Sequence, residues 1–122
     1  MYLVGQPHPN KVHASERLKQ LIAAEARLVT DAEVFQEITH RYAAIRRRDA
    51  IQPAFDALLG VVDEVLAIEL ADVQRAKGLV LAYEGLSSRD ALHAAVMRRR
   101  NIKQILSFDT GFDSLSDVER LS

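Results

Sequence analysis

The amino-acid sequence predicts an α/β domain built on a parallel sheet. Three observations point there. Segments with helical periodicity alternate with brief apolar runs that read as buried strands. Capping and breaking residues fall at the junctions between them. The chain has 122 residues, 48% of them hydrophobic, which suits one domain with one core. No repeat, linker or low-complexity segment divides it, so residues 1–122 are read as a single domain.

The elements follow in order. Ala14, Leu18, Leu21 and Ile22 recur at helical spacing, and Glu16, Arg17, Lys19 and Gln20 face away, which predicts a first helix over residues 10–26. Leu28-Val29-Thr30 is a strand candidate. Thr30 or Asp31 then caps a second helix carrying Phe35, Ile38, Tyr42 and Ile45 on one face, and Arg46-Arg47-Arg48 closes it. Pro53 suits the first turn of a third helix and Gly60 its end. Val65-Leu-Ala-Ile68 reads as a buried strand. A fourth helix carries Leu70, Val73, Val80 and Leu81 and ends at Gly85. Ser87 begins a fifth, running to Asn101. Ile105-Leu-Ser-Phe108 is a strand with Asp109 directly after it, and Val118 to Leu121 is a weaker one. Such domains usually open on a strand, and Met1 to Val4 is a poor substitute for it.

Composition excludes several classes. Sixteen basic and 17 acidic residues leave a formal charge of −1, so nucleic acid would have to be held by a local basic patch. The absence of cysteine excludes disulfides, thiolate zinc sites and cysteine nucleophiles. It is compatible with a reducing cytoplasm. No run approaches the roughly 20 apolar residues of a membrane span, and the opening residues lack the features of a signal peptide. A soluble cytoplasmic protein is expected.

Three acids stand where chemistry could sit. Glu37 lies inside the second helix, Asp90 in the first turn of the fifth, and Asp109 at the carboxyl end of a strand. Ligands of open α/β sheets collect at that edge. Carboxylates gathered together repel, and a hard divalent cation such as Mg²⁺ or Mn²⁺ relieves the repulsion. Such a site could hold a phosphodiester and activate water. Each acid also has a structural reading. Asp90 fits a capping pattern with Ser87, Glu37 can pair with Arg41, and Asp109-Thr-Gly-Phe-Asp113 resembles an ordinary turn. His8, His13, His40 and His93 show no zinc-binding spacing and are expected at surface or half-buried positions. Arg46–Arg48 and Arg98–Arg100 suit solvated helix ends, or a phosphate grip if they lie beside the acids.

Together, Val29-Thr-Asp-Ala-Glu-Val-Phe-Gln-Glu37, Leu86-Ser-Ser-Arg-Asp-Ala-Leu-His93 and Ile105-Leu-Ser-Phe-Asp-Thr-Gly-Phe-Asp113 resemble three successive blocks of PIN domains. The likeness is greatest to VapC-type toxins of bacterial toxin–antitoxin pairs. It covers nearly the whole chain, from the Gly5-Gln-Pro-His-Pro9 loop onward. The resemblance implies a three-layer α/β/α sandwich and a Mg²⁺- or Mn²⁺-dependent endoribonuclease. It implies Glu37, Asp90 and Asp109 as catalytic metal ligands, Asp113 near a further, variable acidic position, and Thr30 and Ser107 lining the site. Gly111 stands where many members carry another aspartate. A homodimer, an RNA substrate and a VapB-type antitoxin are the implied partners.

One departure matters. PIN domains open with a central strand ending in an aspartate, and Met1-Tyr-Leu-Val-Gly5 resembles the segment just after it. The first strand and first metal ligand are therefore expected to be missing. A start assigned too late is preferred over a truly short gene, because losing a buried central strand should cost more than the roughly 5–15 kcal/mol by which a domain is stable. The expectation is a ribonuclease toxin that needs the missing aspartate for activity. The alternative is a non-catalytic module that binds or sequesters an antitoxin, and a partly folded product is a third outcome.

Overall fold

The computed structural model describes residues 1–4, 11–107 and 110–121. Alternating apolar runs and amphipathic segments resolve, among these residues, into five strands and five α-helices. In chain order they are β1 (Tyr2–Leu3), α1 (Lys11–Ala23), β2 (Val29–Asp31), α2 (Ala32–Ala44), α3 (Ile51–Val61), β3 (Glu64–Leu66), α4 (Leu70–Ala82), α5 (Ser88–Arg99), β4 (Gln104–Leu106) and β5 (Glu119–Leu121). Short 3₁₀ turns cover Arg48–Ala50 and Thr110–Ser114.

The sheet order is β3-β2-β1-β4-β5, and every pairing is parallel. Its centre corrects an expectation. The place of the missing opening strand is filled by Tyr2–Leu3, with Tyr2 opposite Val29 on one side and Ile105 on the other. The physical reason is burial on both faces. Successive strand side chains point to opposite sides, and Tyr2 enters one core cluster while Leu3 enters the other.

Helices cover both faces, as a parallel sheet requires. On one side α4 and α5 pack through Ala76, Leu79, Ala91, Ala94, Ala95 and Met97 against Tyr2, Val29 and Ile105. The alanines let α5 lie close, and seven of its residues are buried. On the other side Leu18 and Leu21 of α1, with Val61 at the end of α3, cover Leu3, Leu28 and Leu106. Phe35 of α2 meets Phe55 of α3 edge-on, with centroids 5.0 Å apart. The fourth helix stops at Ala82, three residues short of Gly85, and its first turn is closed by a capping box of Glu69 and Asp72.

Candidate functional site

The carboxyl ends of β1 and β2 and the first turns of α2 and α5 converge on one buried polar cluster. Asp31 ends β2 and is also the N-cap of α2. Its Oδ1 accepts from the Val34 backbone N–H at 3.1 Å. Its Oδ2 accepts from the Tyr2 hydroxyl and from His93 Nδ1, the latter at 2.7 Å. Across the imidazole, Nε2 donates to Glu37 Oε1 at 2.9 Å. Tyr2, Asp31 and His93 are fully buried, and the Glu37 side chain is 9% exposed.

The protonation of His93 follows from its partners. Ionised carboxylates only accept hydrogen bonds, so an imidazole between two of them must carry protons on both nitrogens. Burial alone pulls its pKa down. The bonds and charges of Asp31 and Glu37 more than reverse this, and the value is pushed up to about 10. Burial likewise opposes ionisation of Asp31, but the bonds from His93, Tyr2 and the Val34 N–H hold its carboxyl below the ordinary range. The Tyr2 phenol is driven above its ordinary value by burial and by the charge of Asp31.

Asp90 precedes His93 by one helical turn, so the two share a face of α5. Its N–H is capped by Ser87 Oγ at 3.1 Å, and its side chain is buried at 2% exposure. Ser87 is thus the helix cap, and Asp90 is buried one turn before His93. Glu37 is bonded to His93, and no bond to Arg41 accompanies it among the described contacts. Asp109 lies outside the described residues. Asp113 stands apart, its two oxygens bound by Arg120 at 2.8 and 3.1 Å. Thr30 is buried and donates to the Leu3 carbonyl at 2.7 Å, so its hydroxyl ties β2 to β1. Ser107 is buried just beyond β4.

One expectation is corrected here. His93 is neither at the surface nor half-buried; it is the centre of the cluster. The Arg98–Arg100 triplet is an exposed helix end, as expected. Each member is drawn to a different acid, Arg98 to Asp117, Arg99 to Asp72 and Arg100 to Glu64. Both triplets sit at the far ends of α2 and α5, roughly 12–17 Å along the helices from the acids at 1.5 Å per residue. Neither is placed to grip a phosphate at the carboxyl edge. The sequence reading also missed Asp31 and Tyr2 as site residues. Asp31 was legible as a cap, but not as the anchor of an imidazole.

Among the described residues, no three His, Asp or Glu side chains close on a common cation position. The donors that are described still suit a hard cation in type. Glu37 and Asp90 offer carboxylate oxygens and are little exposed, and Mg²⁺ is commonly held by one or two carboxylates with water and phosphate completing its shell. Asp31 is unsuited, because three donors already occupy it.

A twisted parallel sheet covered on both faces, with an acidic cluster at its carboxyl edge, defines the class: an α/β/α domain of nuclease-like layout. The PIN domain family model matches residues 5–118, and the chain belongs to that family. It is 57% identical over 122 residues to a VapC ribonuclease of Mycobacterium bovis, covering 100% of this chain and 93% of that protein. Ribonuclease VapC23 of Mycobacterium tuberculosis is 37% identical over 109 residues, 89% of this chain and 86% of its own length. Among solved structures, VapBC2 from Rickettsia felis bound to a promoter DNA fragment shares the fold with a TM-score of 0.71 at 14% identity, covering 98% of this chain and 96% of that one. A toxin–antitoxin complex from Klebsiella pneumoniae gives 0.61 at 16% identity over 88% and 87% of the two chains.

Proposed function

We propose that this chain is a VapC-type toxin, an endoribonuclease in which Glu37, Asp90 and Asp109 hold a divalent cation, Mg²⁺ or Mn²⁺, against an RNA phosphodiester. The observation that carries the reading is the 57% identity to a VapC ribonuclease over the whole chain. Two observations support it: Glu37 is bonded to His93, and Asp90 is buried one helical turn before that histidine. When bound, the cation would supply a lowered water pKa and stabilise the charge that develops on the phosphate. Glu37 and Asp90 would hold it, and the backbone N–H groups at the start of α5 add a field favourable to anions at the same edge. Asp113, committed to Arg120, serves the fold in this reading.

A VapB-type antitoxin and a second copy of the chain are the proposed protein partners. Solved relatives in fold are toxin–antitoxin complexes, and α4 exposes Leu70, Val73 and Leu81, an apolar stretch of the kind partners cover. No helix among the described residues is long and apolar enough to cross a membrane. One other reading is a non-catalytic module that binds or sequesters the antitoxin, since β1 (Tyr2–Leu3) carries no acid where the PIN resemblance leads one to expect an aspartate.

Cleavage of RNA, assayed with the 122-residue chain and with a chain that also carries the aspartate-bearing strand the PIN resemblance places before Met1, separates the two. The expected result is cutting that requires Mg²⁺ or Mn²⁺, stops in EDTA and falls at least about 100-fold in Asp90→Asn, a size typical of losing one charge-stabilising group. Cleavage that persists in EDTA sinks the metal-dependent reading. Tight antitoxin binding with no cleavage under either metal establishes the sequestering module instead.

A further inference from the structure

The cluster holds more than the family's metal-binding acids require. A chain of hydrogen bonds runs from the Tyr2 hydroxyl to Asp31, from Asp31 to His93, and from His93 to Glu37. It crosses four elements: β1, the end of β2, α5 and α2. His93 has no exposed surface and both ring nitrogens are bound, so it has no rotational freedom left. Tyr2 adds an edge-on ring contact at 6.2 Å between centroids. Glu37 is the opposite kind of side chain. A glutamate on a helix has three free torsions, and fixing them costs conformational entropy each time a ligand binds. Here one of its oxygens, Oε1, is already held at 2.9 Å by a rigid donor.

We propose that His93 is a positioning residue, which fixes the Glu37 carboxylate for cation binding from a base formed by Asp31 and Tyr2. The inference rests on the reading of Glu37 as a metal ligand. Hydrogen bonds to a ligating carboxylate orient it and set its basicity, and removing such a partner commonly lowers metal affinity about 10–100-fold. Asp31 takes the corresponding role one step further back. Its three donors make it an unsuitable ligand and a firm anchor. The arrangement also gives β1 a part in the site, since Tyr2 reaches Asp31 from the centre of the sheet.

A purely structural histidine that joins α2 to α5 is the competing account. Two substitutions separate them, because each keeps one nitrogen. An asparagine side chain reproduces the Nδ1 donor and keeps the bond to Asp31. A glutamine reproduces the Nε2 donor and keeps the bond to Glu37. Mn²⁺ binding to the full chain is measured by titration with electron paramagnetic resonance of the free ion, together with a thermal melt of each variant. The expected result is a loss of roughly 10-fold or more in Mn²⁺ affinity for His93→Asn, with most of it restored in His93→Gln. Should His93→Asn fail to fold, Asp31→Asn carries the test, because it withdraws the anchor and leaves the imidazole and Glu37 in place; a loss of Mn²⁺ affinity is again expected.

Mn²⁺ affinity within about twofold of the unaltered chain in the folded variants, alongside a clear loss in Glu37→Gln, overturns the positioning role alone. No loss in Glu37→Gln and Asp90→Asn removes the metal reading, and the inference with it.

Discussion

The two ends of α5 each bury an acid, and they treat it in opposite ways. At the C-terminal end, Asp72 of α4 is fully buried and receives Arg99 Nε at 2.9 Å, Arg99 Nη2 at 3.2 Å and the Glu69 backbone N–H at 2.9 Å. Arg75 adds a second guanidinium at 4.0 Å. Arg99 also donates to the Ala67 carbonyl. Negative charge is fully matched there. At the N-terminal end, Asp31 and Glu37 share a single imidazolium, and Asp90 lies one turn away. Two carboxylates are joined by one imidazole there, and no guanidinium is bonded to either among the described contacts. A buried ion pair that only holds a fold together must balance, since uncompensated charge in a low dielectric is costly. The contrast is between an acid held by arginine and acids held by histidine.

The largest expected effect tests the end held by arginine. Arg99→Ala leaves Asp72 buried with the Glu69 backbone N–H and the more distant Arg75, and removal of one partner from a buried pair costs about 3–5 kcal/mol. Denaturant unfolding should show a loss near the lower figure, because Arg99 itself is 28% exposed. Mn²⁺ affinity should stay unchanged. A loss below about 1 kcal/mol, the usual range of a surface pair, would mean that Asp72 is not the buried structural charge described.

A smaller effect comes from the end held by histidine and appears as pH dependence. The folded-state pKa of His93 is raised to about 10 from 6.5. Its contribution to stability is therefore complete below about 6.5, where both states carry the proton, and is lost as pH rises toward 10. In that window the folded state holds one more proton than the unfolded chain. The slope is about 1.4 kcal/mol per pH unit, so roughly 2 kcal/mol should vanish between pH 7 and 8.5. Asp31 acts on the other limb. Its depressed pKa contributes stability that is present above its ordinary value and lost as pH falls through the folded value. Denaturation curves at several pH values check this, and His93→Asn should flatten the alkaline limb. An unaltered chain whose stability is level from pH 7 to 8.5 would break the account of a shared imidazolium.

Much of the layout was legible because it is written in local patterns. Thr30 or Asp31 as the start of α2, Ser87 as the start of α5 and the apolar run at Ile105 each depend on neighbours within a few residues. The acids Glu37 and Asp90 were legible as candidates for the same reason. What stayed hidden depends on burial. The fifth helix is covered on nearly every side, so its sequence shows no apolar stripe, and nothing marks His93 as interior except its company of Ala94, Ala95 and Val96. The anchor of His93 lies 62 positions away, at Asp31. The arginines show the converse. Arg98, Arg99 and Arg100 read as one basic cluster along the chain, yet successive helix positions point about 100° apart, and tertiary contacts send them to Asp117, Asp72 and Glu64. The opening strand was misjudged because two residues are too short for a periodicity, and only the two-sided cover of Tyr2 and Leu3 reveals it.

The smallest effect concerns Asp113, an acid that resemblance places near the site and geometry places in a surface pair. Its side chain is 54% exposed and both oxygens face Arg120, which also donates to the Ser107 carbonyl at 3.2 Å. The pair holds its carboxyl below the usual range. An exposed bidentate pair of this kind contributes about 0–1 kcal/mol. Asp113→Ala should therefore lower stability by less than about 1 kcal/mol and leave Mn²⁺ affinity alone. The measurement bears on the comparison as a whole. If Asp113→Ala weakens Mn²⁺ binding as much as Asp90→Asn does, then an acid matched by an arginine can still serve as a ligand, and pairing with arginine no longer distinguishes the two kinds of acid. If only Glu37 and Asp90 respond, the acids held by arginine and the acids around His93 have different work.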